Sequence, residues 1–292
     1  MDTLQQIING LTLGSLYALI AIGYTMVYGI LRLINFAHGD VLMVGCYIAW
    51  FGAAMFGLPW WAALLGSMAL TAALGVLIDQ GAYRPLRKAP RISALITAIG
   101  VSFLLENLGL VVFGGRPKAF ERPEVFNHIL QWGELRVLSL SIWVPIITAI
   151  ILAGLLLIIY RTRLGMAMRA LSRDLVTVQL MGIDTNRVVA ATFALGSALA
   201  AAGGIFWAMK YPQINPLMGV LPGLKAFVAA VLGGIGNVTG ALLGGLVLGM
   251  SEILLVAWLP DLAGYRDALA FVLLIGILIF RPTGIMGQEL PE

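Results

Sequence analysis

Long apolar runs separated by short polar breaks organise the chain from end to end. They cover residues 7–31, 41–56, 60–78, 93–113, 142–160 and 188–209. A further stretch, 224–258, is too long for one span, and GGIGN at 233–237 is its natural break, because three glycines and an asparagine disfavour a continuous helix. A last run, 268–280, stops at Arg281 and Pro282. A membrane-crossing helix needs roughly 20 apolar residues. The pattern therefore predicts an all-α polytopic membrane protein with about nine membrane segments, or eight if one is a re-entrant half-segment. A membrane β-barrel would alternate over segments of about ten residues, which these runs do not. One transmembrane domain over residues 1–292 fits, with no linker and no low-complexity segment.

Composition narrows this further. Of 292 residues, 60% are hydrophobic and 11% charged, and the mean hydropathy is +0.97. Soluble domains are about 25% charged, so a soluble fold could not cover its surface, and disorder would need low hydrophobicity. The single cysteine, Cys46, excludes an intrachain disulfide and a cysteine zinc cluster, and two histidines, His38 and His128, are too few for a histidine metal site. A formal charge of +4 gives no case for nucleic acid. Its distribution says more. Arg84, Arg87, Lys88 and Arg91 stand against Asp79 in 79–92, and five arginines stand against Asp174 and Asp184 in 161–187. The 114–141 loop is nearly balanced. The bias predicts that the two basic loops and the C-terminus are cytoplasmic and that 114–141 is external. The N-terminus is expected outside, with a first segment that inserts and stays, since no basic n-region precedes it.

Chemistry is sparse. No GxxxxGK[ST] phosphate loop occurs, and GGIGNVTG (233–240) lies between membrane runs without a βαβ context. Its Gly236, with Gly240 and Gly244, and the pair Gly245 and Gly249, have the spacing of close helix packing. No cofactor or metal is expected in this chain. Polar residues inside apolar runs are costly in lipid and mark a path or a partner. Lys225 and Glu252, near the ends of their segments, read as snorkelling to the interface, and Glu106 as paired within the bundle or touching substrate. So few buried acids argue against a proton relay. The break NFAHGD (35–40) is more telling: Asn35 and His38 can satisfy freed backbone groups inside the bundle. With GGIGN it forms either the kind of twin break that marks the halves of a transporter or a pair of ordinary tight turns. The 161–187 loop predicts an amphipathic helix. Leu171, Leu175 and Val178 follow at i, i+4 and i+7 on one face, beside Ala170, with Arg169 and Asp174 at the polar rim and Gly182 as a C′ glycine. Such a helix either lies on lipid headgroups or docks in a partner's groove.

At this loop the sequence resembles the permease subunits of bacterial ABC importers, whose coupling helix carries an alanine followed about a dozen residues later by a glycine, here Ala170 and Gly182. It is more closely similar to branched-chain amino acid permeases of the LivH type. The carrying segments are residues 10–40, AYRPLR (82–87), LITAIGVSFLLEN (95–107), RALSRDLVTVQLMGIDTNRV (169–188), 223–249 and RPTGI (281–285). The resemblance implies a membrane-spanning subunit that translocates leucine, isoleucine and valine in the bacterial inner membrane. Its implied partners are a second, LivM-like permease subunit, two cytoplasmic ATPases that bind ATP in trans, and an external solute-binding protein. It assigns ATPase coupling to Arg169, Ala170, Leu171, Asp174, Leu175, Val178 and Gly182. Asn35, Phe36, His38, Gly39 and Glu106 would line the path. Urea and short-chain amide permeases share much of this pattern. An ion-coupled secondary transporter and a membrane enzyme are the readings from other classes.

Overall fold

The computed structural model describes residues 2–87, 89–133 and 135–287. Lys88 and Glu134, which count in the charge balance of their loops, lie outside the described residues, as do 288–292. The helices are α1 (Asp2–Leu31), α2 (His38–Phe56), α3 (Trp60–Ile78), α4 (Arg91–Phe113), the short α5 (Glu124–Asn127), α6 (Ser139–Arg161), α7 (Arg163–Arg173), α8 (Leu175–Leu180), α9 (Thr185–Lys210), α10 (Val220–Gly233), α11 (Val238–Trp258) and α12 (Arg266–Phe280). Eight helical segments among the described residues are long and apolar enough to cross a membrane, and α10 is a shorter apolar ninth. At 1.5 Å per residue, its 14 residues reach about 21 Å, short of a hydrocarbon core of about 30 Å. The expected break at GGIGN is where α10 ends and α11 begins. Asn237 caps the new helix, its Oδ1 accepting from the amides of Thr239 and Gly240.

The fold is all-α as expected, with four short strands beside the helices. Strand β1 (Lys118–Ala119) pairs antiparallel with β4 (Gln213–Ile214), and β2 (Ile129–Trp132) with β3 (Leu135–Leu138). They fold the 114–141 loop into a cap at one end of the bundle. Trp50 in α2 ties it down, donating from Nε1 to the Ala119 carbonyl at 2.9 Å, and the start of α1 joins through Gln5 Nε2 to the Arg136 carbonyl. The opposite end gathers the basic loops. Arg87 bridges Asp79 at 2.7 Å and Asn186 Oδ1 at 2.6 Å. The C-terminal segment pairs there with the end of α10, Ile285 N to Leu232 O and Met286 N to Gly233 O, both 2.9 Å.

Lipid offers no hydrophobic drive for helices to meet, so close approach must come from small residues. Helix α11 uses two glycine stripes on two neighbours. Gly240 and Gly244 face the backbone of α10 at Gly233 and Ala229, while Gly245 and Gly249 face α1 at Ala18 and Gly14. Gly236 is not part of either stripe. It sits in the turn before α11 at φ +98°.

The packing reads the same when α1–α4 are exchanged for α9–α12. Helix α1 packs on α11 as α9 does on α3, α2 lies on α3 and α4 as α10 lies on α11 and α12, and α1 meets α9 across the centre. The partner of the NFAHGD break is therefore not GGIGN. It is the 211–219 segment before α10, because Gly39 and Gly219 are in backbone contact. GGIGN is an ordinary tight turn between two packed helices.

Candidate functional site: a mid-bundle junction, a buried charge network and a helical hook

The junction forms where α2 and α10 begin. Residues 32–37 turn back from the end of α1, with Arg32 at φ +52°, and return the chain into the bundle. His38 lies between Tyr24, 4.4 Å between ring centroids, and Gly23, where a Cβ would stand 2.6 Å from the imidazole. Its Nε2–H donates to the Ile20 carbonyl at 3.2 Å, roughly half way along α1. Asn35 Oδ1 accepts from Tyr83 OH at 2.8 Å. Tyr83 is brought there by a π-turn, Asp79–Tyr83, that continues α3. Asn35 and His38 are thus inside the bundle as expected, but they do not cap interrupted backbone. The turn satisfies itself, His38 N to Asn35 O and Val41 N to Ala37 O, while the two side chains clamp α1 and the end of α3.

Gly39 allows the crossing of α2 and α10: a Cβ there would meet the Gly219 carbonyl oxygen at 2.5 Å. Phe36 approaches Phe227 of α10, 6.4 Å between centroids. Asp40, in the first turn of α2 where the helix dipole favours an anion, accepts from Ser102 Oγ of α4 at 2.5 Å. Glu106, one turn beyond Ser102, is half-buried and makes no hydrogen bond or ion pair among the described residues. The expected pairing of Glu106 is therefore absent among the described residues, and Asp40, which the sequence groups with Asn35 and His38 but gives no role on the path, is the buried acid of this junction.

The second site corrects another expectation. Lys225 and Glu252 do not snorkel. Glu252 is 0% exposed and Lys225 4%, and they pair at 2.8 Å. Glu252 also takes Arg266 Nε at 2.7 Å and Tyr17 OH at 3.1 Å, and Lys225 reaches Asp267 at 2.6 Å. Isolated charges in a low-dielectric interior cost many kcal/mol, and only mutual pairing makes them tolerable. Arg266 and Asp267 stand at the head of the last apolar run in the sequence, but only the fold brings them against the two buried charges.

The third site is the 161–187 hook. Here the expected single helix face is broken. Asp174, at φ −149°, ends α7 and starts α8, its carboxylate taking the Thr177 amide and hydroxyl. Leu171 and Val178 consequently turn inward, 2% and 4% exposed. Leu175 sits at the edge, and Ala170 is half-buried. Arg169 is no rim residue. It folds back, donating to the Ile159 carbonyl at 2.8 Å and stacking 5.0 Å over Tyr160, so it caps the end of α6. The apolar groups facing outward are Met166, Leu180 and Met181, at 63%, 83% and 75% exposed. Gly182 behaves as expected. At φ +79° it closes a Schellman motif on α8, Gly182 N to Gln179 O and Ile183 N to Val178 O. Thr162 caps α7 and Asp184 caps α9, so the hook is joined rigidly to α6 and α9.

Eight segments long and apolar enough to cross a membrane, with polar groups and charges answered inside the bundle, make this a multi-pass membrane protein. The model of the family "Branched-chain amino acid transport system / permease component" matches residues 6–278. The chain belongs to that family. It is 46% identical, over 98% of its length and 96% of the relative's, to the high-affinity branched-chain amino acid transport system permease protein BraD of Pseudomonas aeruginosa. It is 44% identical, with the same coverage, to the corresponding permease protein LivH of Escherichia coli. A probable LivH of Methanocaldococcus jannaschii is 30% identical over 94% of this chain and 90% of that one.

Proposed function

We propose that the chain is a membrane-spanning permease subunit of an ABC importer that carries leucine, isoleucine and valine across the cell (inner) membrane. The observation that carries this reading is the near-full-length identity of 44–46% to permease proteins named for high-affinity branched-chain amino acid transport. Its partners are two cytoplasmic ATPases, an external solute-binding protein and a second, LivM-like permease subunit. The chain holds no cofactor of its own, ATP being bound by the partners, and acts as one permease domain rather than as an enzyme. The basic loops and the C-terminus are cytoplasmic.

The hook is the coupling element. An exposed Leu180 and Met181 on an aqueous tip are costly unless a partner covers them. The ATPase groove is that partner, and Gly182 fixes the angle at which the tip leaves α8. Because α7 is fastened to the end of α6 and α8 leads through a capped turn into α9, a push on the tip moves both spans. Helix α9 packs on α1, α2 and α3, so the movement reaches the Asn35–His38 junction. Phe36 and Gly39 lie at that junction, on the path. Glu106 stands at its edge.

The test is leucine uptake into right-side-out vesicles holding the complete transporter. Uptake that needs internal ATP and external binding protein, and that survives ionophores, is expected. Uptake driven by an ion gradient without ATP would replace this reading with a secondary transporter. Uptake of urea or acetamide in place of leucine would shift the substrate.

A further inference from the structure

A cavity of about 280 Å³ opens beside the buried charge network, at the end of the bundle that carries the 114–141 cap. It is bounded by the end of α9, the start of α10, the turn 260–265 and the start of α12. Three features distinguish it from a gap between lipid-facing helices. First, its four charges pair with one another, Lys225 joining Glu252 to Asp267 and Arg266 joining Glu252, yet one guanidinium donor is left over. Arg266 spends Nε on Glu252 and Nη2 on Tyr211 OH at 3.3 Å. Among the described residues nothing accepts from its Nη1. Second, Asp267 is 58% exposed although it heads a span. A carboxylate cannot face hydrocarbon at that position, so the mouth opens to water or to a polar partner. Third, the other wall is apolar: Trp207, Leu221 and Pro222.

A guanidinium with a spare donor, a carboxylate beside it and an apolar wall are the complement of a zwitterion with an aliphatic side chain. The volume is at the lower limit of small-ligand sites, roughly 300–1,000 Å³, and suits an amino acid better than a sugar. Lys225 and Glu252 behind Arg266 keep the guanidinium oriented, and their burial makes the arrangement stiff before anything binds. We propose that this cavity is a subsite for a small aliphatic α-amino acid, with Arg266 receiving the α-carboxylate, Asp267 the α-ammonium, and Trp207, Leu221 and Pro222 the side chain. The subsite rests on the importer reading above and gives it a first contact inside the permease.

Leu221 is exposed and belongs to none of the ion pairs, so it can be changed without unpairing a charge. In the reconstituted complete transporter, with binding protein saturating, L221W should fill the cavity. Uptake of radiolabelled leucine should fall at least ten-fold while the variant co-purifies with its partners in normal amount. Uptake within two-fold of the unmodified complex would overturn the subsite. Should L221W fail to assemble, L221A decides through selectivity: the leucine-to-valine uptake ratio from an equimolar mixture should shift at least three-fold, and an unchanged ratio would overturn the proposal. An unmodified complex that moves no branched-chain amino acid would overturn the importer reading itself, which the comparison between variants does not touch.

Discussion

The mid-bundle break and the hook treat polarity in opposite ways. Residues 35–40 are polar in sequence, yet Asn35, His38 and Asp40 are all buried. The hook is rich in charge, yet its tip offers Leu180 and Met181 to water. In a soluble domain the two patterns would be exchanged. The difference is one of solvent. Inside a membrane protein a polar group can be buried when a neighbour answers it, as Tyr83 answers Asn35 and Ser102 answers Asp40. The apolar tip of the hook projects from the end of the bundle, and in the coupling proposal the ATPase is what covers it.

The largest effect should come from closing the break. In G39V the side chain would meet the backbone of Gly219, which cannot move away as a flexible side chain could. No assembled membrane half is expected, and a normal yield of complex by size-exclusion chromatography would refute the close crossing of α2 and α10. Next is the tip. L180D with M181D would place two carboxylates in a desolvated groove at several kcal/mol. At least a ten-fold loss of ATPase from the purified complex should result, with the membrane half intact. Y83F ranks third. It leaves Asn35 Oδ1 buried without its donor, a cost of about 1–3 kcal/mol, read as a lowered melting temperature of the complex. The smallest change in stability is expected for H38L. The Ile20 carbonyl keeps its place in α1, so only about 1 kcal/mol is lost, and the complex should assemble. Leucine uptake should nonetheless drop more than assembly does, and normal uptake would reduce the junction to a turn.

Much of this was legible in sequence, and the reasons differ by feature. Spans were legible because lipid demands long apolar runs. The GGIGN break, the Gly182 terminus and the role of the α11 glycines followed from backbone chemistry that is local. What could not be read was which face each span shows to protein. Helices α1 and α9 have a mean hydropathy of 1.6 and 1.8 over their best windows and are 78% and 72% buried there, whereas α4 and the Pro260–Phe280 segment that ends in α12, at 2.0 and 1.9, are 17% and 6% buried. Hydropathy measures the fitness of a helix for lipid and is nearly blind to its neighbours. The same blindness made Lys225 and Glu252 look like snorkelling ends, since their partners Arg266 and Asp267 are distant in sequence. In the hook, helical spacing predicted one face through Leu171, Leu175 and Val178. Asp174 overrode it, because an aspartate that accepts from the Thr177 amide starts a new helix rather than continuing the old one.

The coupling claim turns on which face of the hook meets the ATPase, and a site-directed cross-link measures that directly. In a Cys46→Ala background, single cysteines at Leu180 and at Leu171 would each be treated, in vesicles holding the complete transporter, with a short maleimide photo-cross-linker. A strong adduct between L180C and the ATPase subunit, with little or none from L171C, is the expected result. An adduct from L171C with none from L180C would contradict the outward tip and return docking to the inward face of the hook.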